Sequence, residues 1–425
     1  MYRMSRSESL YEKASQLIPG GSQMYNKRPI VYEPCEYPIF VKNARGSRFT
    51  DVDGNEYIDY LLAYGAILLG YNYPPVMEAV IKQIREGTIF SINSELEIEL
   101  AEKVTSTIPS AEMVRFFLSG SEATSAAVRM ARAFSGKEIV LRWGYHGWHD
   151  WCATGQDGIP AALAEYFDII NAPRDCLRGV PRDIAQYTME LRYNDIDFLE
   201  KILKSAADNI ACIIMEPFYF ELPQPNFLEE VKKLVHQYEV LFIFDEVKTG
   251  CRVARGGAQE YFGITPDMSV FSKAVSNGYP FSMVVGKKEV MSVNEGLWYA
   301  GTNSGNTVGL RAALTTLQEV ERNNVVEHLW RLGEKLTEGI KFIVNNLGIE
   351  GEIVGLPPMP SFIFTSSDKE IKKRQTNTFL CKTIERGILF PKEHCWFISY
   401  SHAEADIDIT LQICEDAFRA AKEVR

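Results

Sequence analysis

Positive charge is in deficit in this sequence of 425 residues. Its 45 Lys and Arg stand against 56 Asp and Glu, a formal net charge of −11, where a nucleic-acid binder normally carries a basic face. No block of like charges marks a tail. Long apolar runs are missing too: the longest, Tyr60 to Tyr71, is broken by Gly65 and stops at Gly70, too short to span a bilayer. The first residues, MYRMSRSESLYEKASQLIPGG, hold no apolar stretch of signal-peptide type. There is no C-x-x-C pair. The eight cysteines (Cys35, Cys152, Cys176, Cys212, Cys251, Cys381, Cys395 and Cys414) are scattered, which suits free thiols in a reducing compartment better than a disulfide framework or a zinc site. Repeats, low-complexity linkers and the fingerprints G-x-G-x-x-G and G-x-x-x-x-G-K-[ST] are absent as well. With these exclusions the sequence reads as that of a cytoplasmic protein, expected to contact neither nucleic acid nor membrane.

What is present points to an α/β protein. The length calls for one large domain plus a smaller one. A short helix pattern ends at Pro19-Gly20-Gly21, and extended stretches near Ile39-Phe40-Val41 and Arg48-Phe49-Thr50 are followed by a hairpin turn at Asp53-Gly54. From about residue 74 to 300, helical periods alternate with short apolar runs: Val114–Leu118, Ile139–Leu141, Cys212–Met215, Val240–Phe244, Ser269–Phe271 and Met283–Val285. Helices are expected over Glu95–Ser106, Ser121–Phe134 and Phe227–Tyr238. Near-continuous apolar strands between helices predict a largely parallel sheet covered on both faces. Residues 308–347 read as one long helical region, and 348–425 as a mixed smaller unit. The last helix is expected to begin at a capping box, Ser401-x-x-Glu404.

Five stretches could carry chemistry. In VLFIFDEVKTG a buried strand runs into Asp245, at the carboxyl edge where open α/β sheets bind ligands; it could equally be a turn acid or a helix cap. An anion there suits the pyridine nitrogen of a cofactor, whose protonated ring is the better electron sink. In MSVFSKAVSNGYP, Lys273 follows another apolar strand, 28 positions after Asp245. A lysine at a strand end is commonly a solvated surface residue, yet Ala274, Ser276, Asn277 and Gly278 leave room for close approach, and a desolvated amine forms Schiff bases. In FLSGSEATSAAVRMAR a strand gives way to a helix at Ser119-Gly120-Ser121, an anion site or a plain N-cap. WGYHGWHD offers Tyr145 as a stacking ring. Its His146, His149 and Asp150 lack a further ligand nearby, so no metal is expected. In YAGTNSGNTVGLRAAL, Gly301-Thr302 precedes a long helix and offers an N–H and a hydroxyl to a phosphate, or forms an ordinary capped loop.

DVDGNEYIDY, LSGSEAT, YHGWHD, DEV, FSKAVSNGYP and AGT occur in that order over nearly the whole chain. Together they resemble the class III, fold-type-I aminotransferases that use pyridoxal 5'-phosphate (PLP), most closely the glutamate-1-semialdehyde aminomutase branch. The resemblance implies a large PLP domain over 56–310, with a mostly parallel sheet flanked by helices. A small α+β domain would come from the N-terminal segment 1–55 and the C-terminal segment 311–425. By the same resemblance Lys273 carries the cofactor as a Schiff base and shuttles protons, while Asp245 pairs with the pyridinium nitrogen. Val247 and Tyr145 cover the two ring faces, and His146 belongs to the cofactor shell. Gly120 and Ser121 hold the phosphate with Gly301 and Thr302, the latter reaching in from the partner of a homodimer with shared sites. Glu216, in the family's Glu-Pro position, supports the site. Departures fall at the substrate positions: Tyr64 stands where aminomutases have a tryptophan, Lys27 with Arg28 where they have an arginine, and His394 near their glutamate. These favour transfer from an amino donor such as glutamate to a separate aldehyde or ketone, with a sugar-like acceptor as one candidate. The alternatives are an intramolecular 2,1-aminomutase and a PLP-binding protein without turnover.

Overall fold

The computed structural model describes residues 4–152, 179–181, 184, 187–299, 301–392 and 394–424. The chain opens with a helix over Ser5–Leu17, which stops before Pro19-Gly20-Gly21 as the sequence predicts. Three short strands follow, β1 (Val41–Arg45), β2 (Arg48–Asp51) and β3 (Glu56–Asp59), in an antiparallel meander. The β2–β3 turn carries Asp53-Gly54. It is held by the Asp51 carboxylate, which accepts the Asp53 and Asn55 N–H groups at 2.9 and 2.8 Å.

Residues Pro74 to Val326 contain the large unit. Its strands are β4 (Met113–Phe117), β5 (Ile139–Trp143), β6 (Thr188–Glu190), β7 (Ile210–Met215), β8 (Leu241–Asp245), β9 (Met268–Ser272) and β10 (Ser282–Gly286). They form one seven-stranded sheet in the order β4-β10-β9-β8-β7-β5-β6. Five strands, from β9 to β6 across the sheet, run parallel, and β10 runs against both β9 and β4. The apolar runs explain the placement. IACIIM and SMVVG bury every residue and sit inside the sheet, whereas MVRFF, only partly buried, takes one edge. One face packs Val140, Ile214, Ile243 and Val270 against Ala126, Ala127 and Met130 of a helix over Gly120–Ser135. The other face packs Leu141, Ile213, Phe242 and Phe244 against helices over Ile196–Ala206 and Phe227–Gln237. Covered on both faces, such strands cannot alternate polar and apolar residues.

The second unit takes the described residues up to Tyr73 and those from Glu327 on. Strands β11 (Gly351–Leu356) and β12 (Met359–Phe364) form a hairpin. Strand β13 (Ile388–Leu389) joins the N-terminal meander by pairing parallel with β3, Ile388 opposite Ile58. A final helix covers Glu404–Lys422.

Three expectations are corrected here. The long region near 308–347 is two helices, Thr307–Arg322 and Val325–Leu347, parted at Asn323 and Asn324. Asn324 takes a left-handed φ of 48°, a conformation asparagine tolerates well. The last helix starts at Ala403 rather than Ser401: the Asp406 carboxylate accepts the Ala403 N–H at 3.0 Å, while Ser401 donates its hydroxyl to the Leu69 carbonyl. Finally, Cys35 and Cys381 are bridged, not free; their Cα atoms lie 4.8 Å apart although 346 positions separate them. Both ends of the chain build one unit, a proximity that spacing along the chain does not reveal. Cys152, Cys212, Cys251, Cys395 and Cys414 are free and buried; Cys176 lies outside the described residues.

Candidate active site

Asp245 and Lys273 close neighbouring parallel strands. In the β8–β9 pairing Asp245 stands opposite Val270, so Asp245 and the residue that follows β9 share the carboxyl edge of the sheet. Asp245 is 2% exposed. Its Oδ1 accepts the Val247 N–H at 3.0 Å, and its Oδ2 lies 2.7 Å from His146 Nδ1. The other nitrogen of that imidazole, Nε2, lies 3.1 Å from the Trp143 carbonyl oxygen at the end of β5. Both nitrogens therefore face oxygen acceptors, and the buried ring ties Asp245 to the end of β5, beyond β7 in the sheet. About half of the carboxylate's lone-pair sites stay free for a further donor.

Lys273 takes a left-handed φ of 53° directly after β9, a backbone state that non-glycine residues adopt mainly where surrounding structure enforces it. Its Nζ makes no ion pair among the described residues. Burial pushes its pKa down to about 8, and the Lys248 ammonium adds to this; Glu216 and Asp245 oppose it, and Arg252 lowers it slightly further. A lysine so placed is a usable nucleophile near neutral pH.

A second cluster stands beside this pair. Glu216 follows β7, 4% exposed, and its Oε1 lies 2.6 Å from Lys248 Nζ. Its Oε2 accepts the Tyr145 N–H at 3.2 Å. The carboxylate passes so close to Gly144 that a Cβ there would sit 2.5 Å from Oε2. Lys248 Nζ also lies 3.6 Å from the centre of the Tyr219 ring. Glu216 was legible from its Glu-Pro position; Lys248 was missed, although it stands three residues after Asp245. The Tyr145 ring is 57% exposed.

The helix over Gly120–Ser135 begins against the same strand ends. Ser119 is its N-cap, and Glu122 returns a carboxylate to the Ser119 and Leu118 N–H groups. A Cβ on Gly120 would lie 3.4 Å from Val247 Cγ2 and 3.7 Å from Ser272 Cβ. The helix start, Val247 and the end of β9 are thus within contact of one another. A cavity of about 250 Å³ adjoins this helix, with Arg115, Glu122, Arg129, Tyr299 and Gly301 among its lining residues. Gly301 and Thr302 are themselves exposed. His149 Nδ1 meets Ser125 Oγ at 2.6 Å, and Trp151, which donates to the same Oγ, stacks on His146. No cluster of metal-ligating side chains occurs among the described residues.

The remaining expected residues lie in the other unit. Leu62, Ala63 and Tyr64 take left-handed φ values of 46°, 52° and 60° in succession, each costing about 1–2 kcal/mol for an ordinary side chain. The Tyr64 hydroxyl donates to the Asn26 carbonyl at 2.7 Å, and His394 meets the Tyr64 ring edge-on, centroids 5.7 Å apart. Phe397 packs on Gly65, where a Cβ would come within 2.7 Å of its ring. Arg28 reaches back to the Pro19 carbonyl and over the Tyr25 ring, while Lys27 is exposed. Tyr64 and His394 therefore belong together, and the Tyr64 hydroxyl ties them to Asn26, next to the exposed Lys27.

Comparison with known proteins shows the family. The family model described as aminotransferase class-III matches residues 31–418. The chain is similar to a 3-aminobutyryl-CoA aminotransferase of Cloacimonas acidaminovorans, 36% identical over 430 residues and covering 99% of each chain. It is similar to a glutamate-1-semialdehyde 2,1-aminomutase of Methanobrevibacter smithii, 37% identical over 439 residues and covering 98% of each. Its structure resembles the PLP internal aldimine form of the FumI protein of Sphingopyxis sp. MTA144. The TM-score there is 0.87 with 28% identity, over 99% of this chain and 98% of that one. Fold and site together define a PLP-dependent enzyme of fold type I. Within that class, the chain belongs to the class III aminotransferases.

Proposed function

We propose that the protein is an intermolecular aminotransferase, moving an amino group from an amino acid such as glutamate to a separate aldehyde or ketone. The observation that carries this reading is the Lys273–Asp245 pair: an amine with lowered proton affinity and a buried carboxylate, at the ends of adjacent strands. The residues present fit PLP. Asp245 has acceptor capacity left for a protonated ring nitrogen, and Lys273 offers an amine held by no ion pair among the described residues. Gly120 and Ser121 start a helix whose free N–H groups and dipole suit a phosphate. Val247 and the exposed Tyr145 ring would cover its faces, with His146 fixing Asp245 from behind. When bound, the cofactor supplies an electron sink for the pair released by the broken C–H bond. With the cofactor held there, Lys273 Nζ would take the α-proton and hand it back, and the Asp245 carboxylate would favour a protonated ring nitrogen.

For the acceptor, the 36% identical relative is named for an amino group on carbon 3 of a CoA thioester. A carbonyl removed from the carboxyl end therefore gains weight over a sugar-like substrate. Tyr64 and His394, departures from the aminomutase pattern that pack on one another, favour a separate acceptor over an intramolecular shift. A cytoplasmic homodimer is part of the same reading; no helix among the described residues is long and apolar enough to cross a membrane.

The first test traps the cofactor on the protein with borohydride. The adduct is expected on Lys273 and lost in Lys273→Ala; an adduct on another lysine sinks the assignment. A spectral screen of amines then separates the chemistries. Release of a keto product from the donor alone, completed only by a second carbonyl compound, marks a transaminase, whereas full turnover of one substrate marks a mutase.

A further inference from the structure

Lys248 has no role in the chemistry derived so far, yet its side chain is only 8% exposed. Its Nζ lies 2.6 Å from Glu216 Oε1 and 3.6 Å from the centre of the Tyr219 ring. A buried charge is costly unless it is paired, so each member of this ion pair needs the other. Glu216 spends its second oxygen on the chain that passes in front of it. Oε2 accepts the Tyr145 N–H at 3.2 Å, and the Glu216 N–H donates to the Trp143 carbonyl at 3.1 Å. Gly144, between them, has a φ of 102°, and a Cβ there would sit 2.5 Å from Oε2. Only glycine lets the chain lie so close. Trp143-Gly144-Tyr145 is thus wrapped around one carboxylate, and the next residue, His146, is tied to Asp245 Oδ2. Tyr145 itself is exposed, so the direction of its ring is set less by packing than by the backbone that carries it.

We propose, on the reading above in which Tyr145 covers the cofactor ring, that Lys248 is a positioning residue: its ion pair with Glu216 fixes the Tyr145 backbone and so holds the Tyr145 ring over PLP. A hydrogen bond to a charged acceptor is about twice as strong as one between neutral groups, and a deeply buried carboxylate holds its charge only beside a cation. Without the Lys248 charge the Glu216 carboxylate takes up a proton or draws in water, and either change loosens its hold on the Tyr145 N–H. The Tyr219 ring against Nζ keeps the ammonium from turning away. His146 stays tied to Asp245, so the slack falls on Gly144 and Tyr145.

The test measures how tightly the full, cofactor-free chain binds pyridoxamine 5'-phosphate, by titration calorimetry and by the circular dichroism that the bound ring acquires. This probe has an amine where PLP has an aldehyde, so it binds without bonding to Lys273, and the result does not depend on that assignment. Lys248→Met is expected to raise Kd about two- to tenfold, the worth of one aromatic stack, and to weaken the dichroism per bound molecule. Lys248→Arg, which keeps the charge, should restore most of both. Tyr145→Ala should cost as much as Lys248→Met. In that background Lys248→Met should change Kd no further, because both act through one ring. A merely structural role would let the two losses multiply and leave the dichroism per bound molecule unchanged; either result overturns the proposal. So does a wild-type Kd in folded Lys248→Met. A wild-type Kd in Tyr145→Ala overturns the cover assigned to Tyr145, and the proposal with it. Should Lys248→Met fail to fold, Lys248→Gln decides, since it keeps a donor but no charge: a Kd equal to the wild-type value overturns the proposal.

Discussion

At Asp245 shape and charge can be separated. Asp245→Asn keeps one oxygen for the Val247 N–H and nearly the same volume, but removes the anion beside His146. A lost hydrogen bond to a charged group is worth about 1.5–3 kcal/mol, and each ~1.4 kcal/mol of lost transition-state stabilisation slows a step about tenfold. The variant is therefore expected to bind PLP, yet to abstract the α-proton at least about a hundredfold more slowly, because the electron sink weakens as well. Single-turnover kinetics with an α-deuterated donor would show it; a wild-type rate would make Asp245 a bystander. Both Asp245 and Lys273 were legible in the sequence, since each directly follows an apolar run whose end had to be a strand end. The Glu216–Lys248 pair was not. It joins residues 32 positions apart through the order of strands in the sheet, and a lone lysine in DEVKTG gives no sign of being buried.

Elements show the same division. Strands between helices were legible because burial on both faces leaves a nearly pure apolar run, as in β7 and β8. Helix ends were harder: Ser401 and Glu404 have the capping pattern, but Ser401 is drawn to Leu69 and Glu404 pairs with Arg331 and Lys335. The true start of that helix has its own electrostatics. Asp406 accepts from Ser47 Oγ at 3.0 Å, and against the cost of burial the Ala403 N–H and Arg48, whose Nη2 lies 2.6 Å away, keep its pKa below the usual carboxylate range. Nearby His402 is buried, and its Nδ1 accepts the Ser399 N–H at 3.0 Å. Burial holds its pKa well down; Asp406 opposes this, while His328 and Arg48 add to it. A histidine with a depressed folded pKa is protonated first in the unfolded chain, so stability falls as pH drops below about 6.5. Asp406 acts in the same direction at lower pH. Protection factors for amide exchange in the helix over Glu404–Lys422, taken relative to intrinsic exchange, are expected to fall between pH 7 and 5, and His402→Gln should flatten that dependence. Protection that does not change with pH would show His402 to be electrostatically idle.

On the scale of the whole molecule, the homodimer proposed above would place Thr302 in the partner's site. It is exposed, as a residue that reaches a partner's phosphate would be in a single chain. Chains carrying Lys273→Ala and chains carrying Thr302→Glu should each be inactive as homodimers. In a heterodimer of the two, one site combines an intact Lys273 with an intact Thr302. Such heterodimers are expected to recover about half the activity of the normal dimer. No recovery in verified heterodimers would mean a site complete within one chain.

Strand β3 ends at Asp59, and its parallel partner β13 lies at Ile388–Leu389. A ribosome adding about 5–20 residues per second needs roughly 15–65 s to make the chain in between. The Pro74–Val326 unit is synthesised whole within that interval and can fold as it emerges. The N-terminal meander cannot complete its sheet: the open edge beside β3 must wait, unpaired, until β13, the last of the described strands, leaves the exit tunnel.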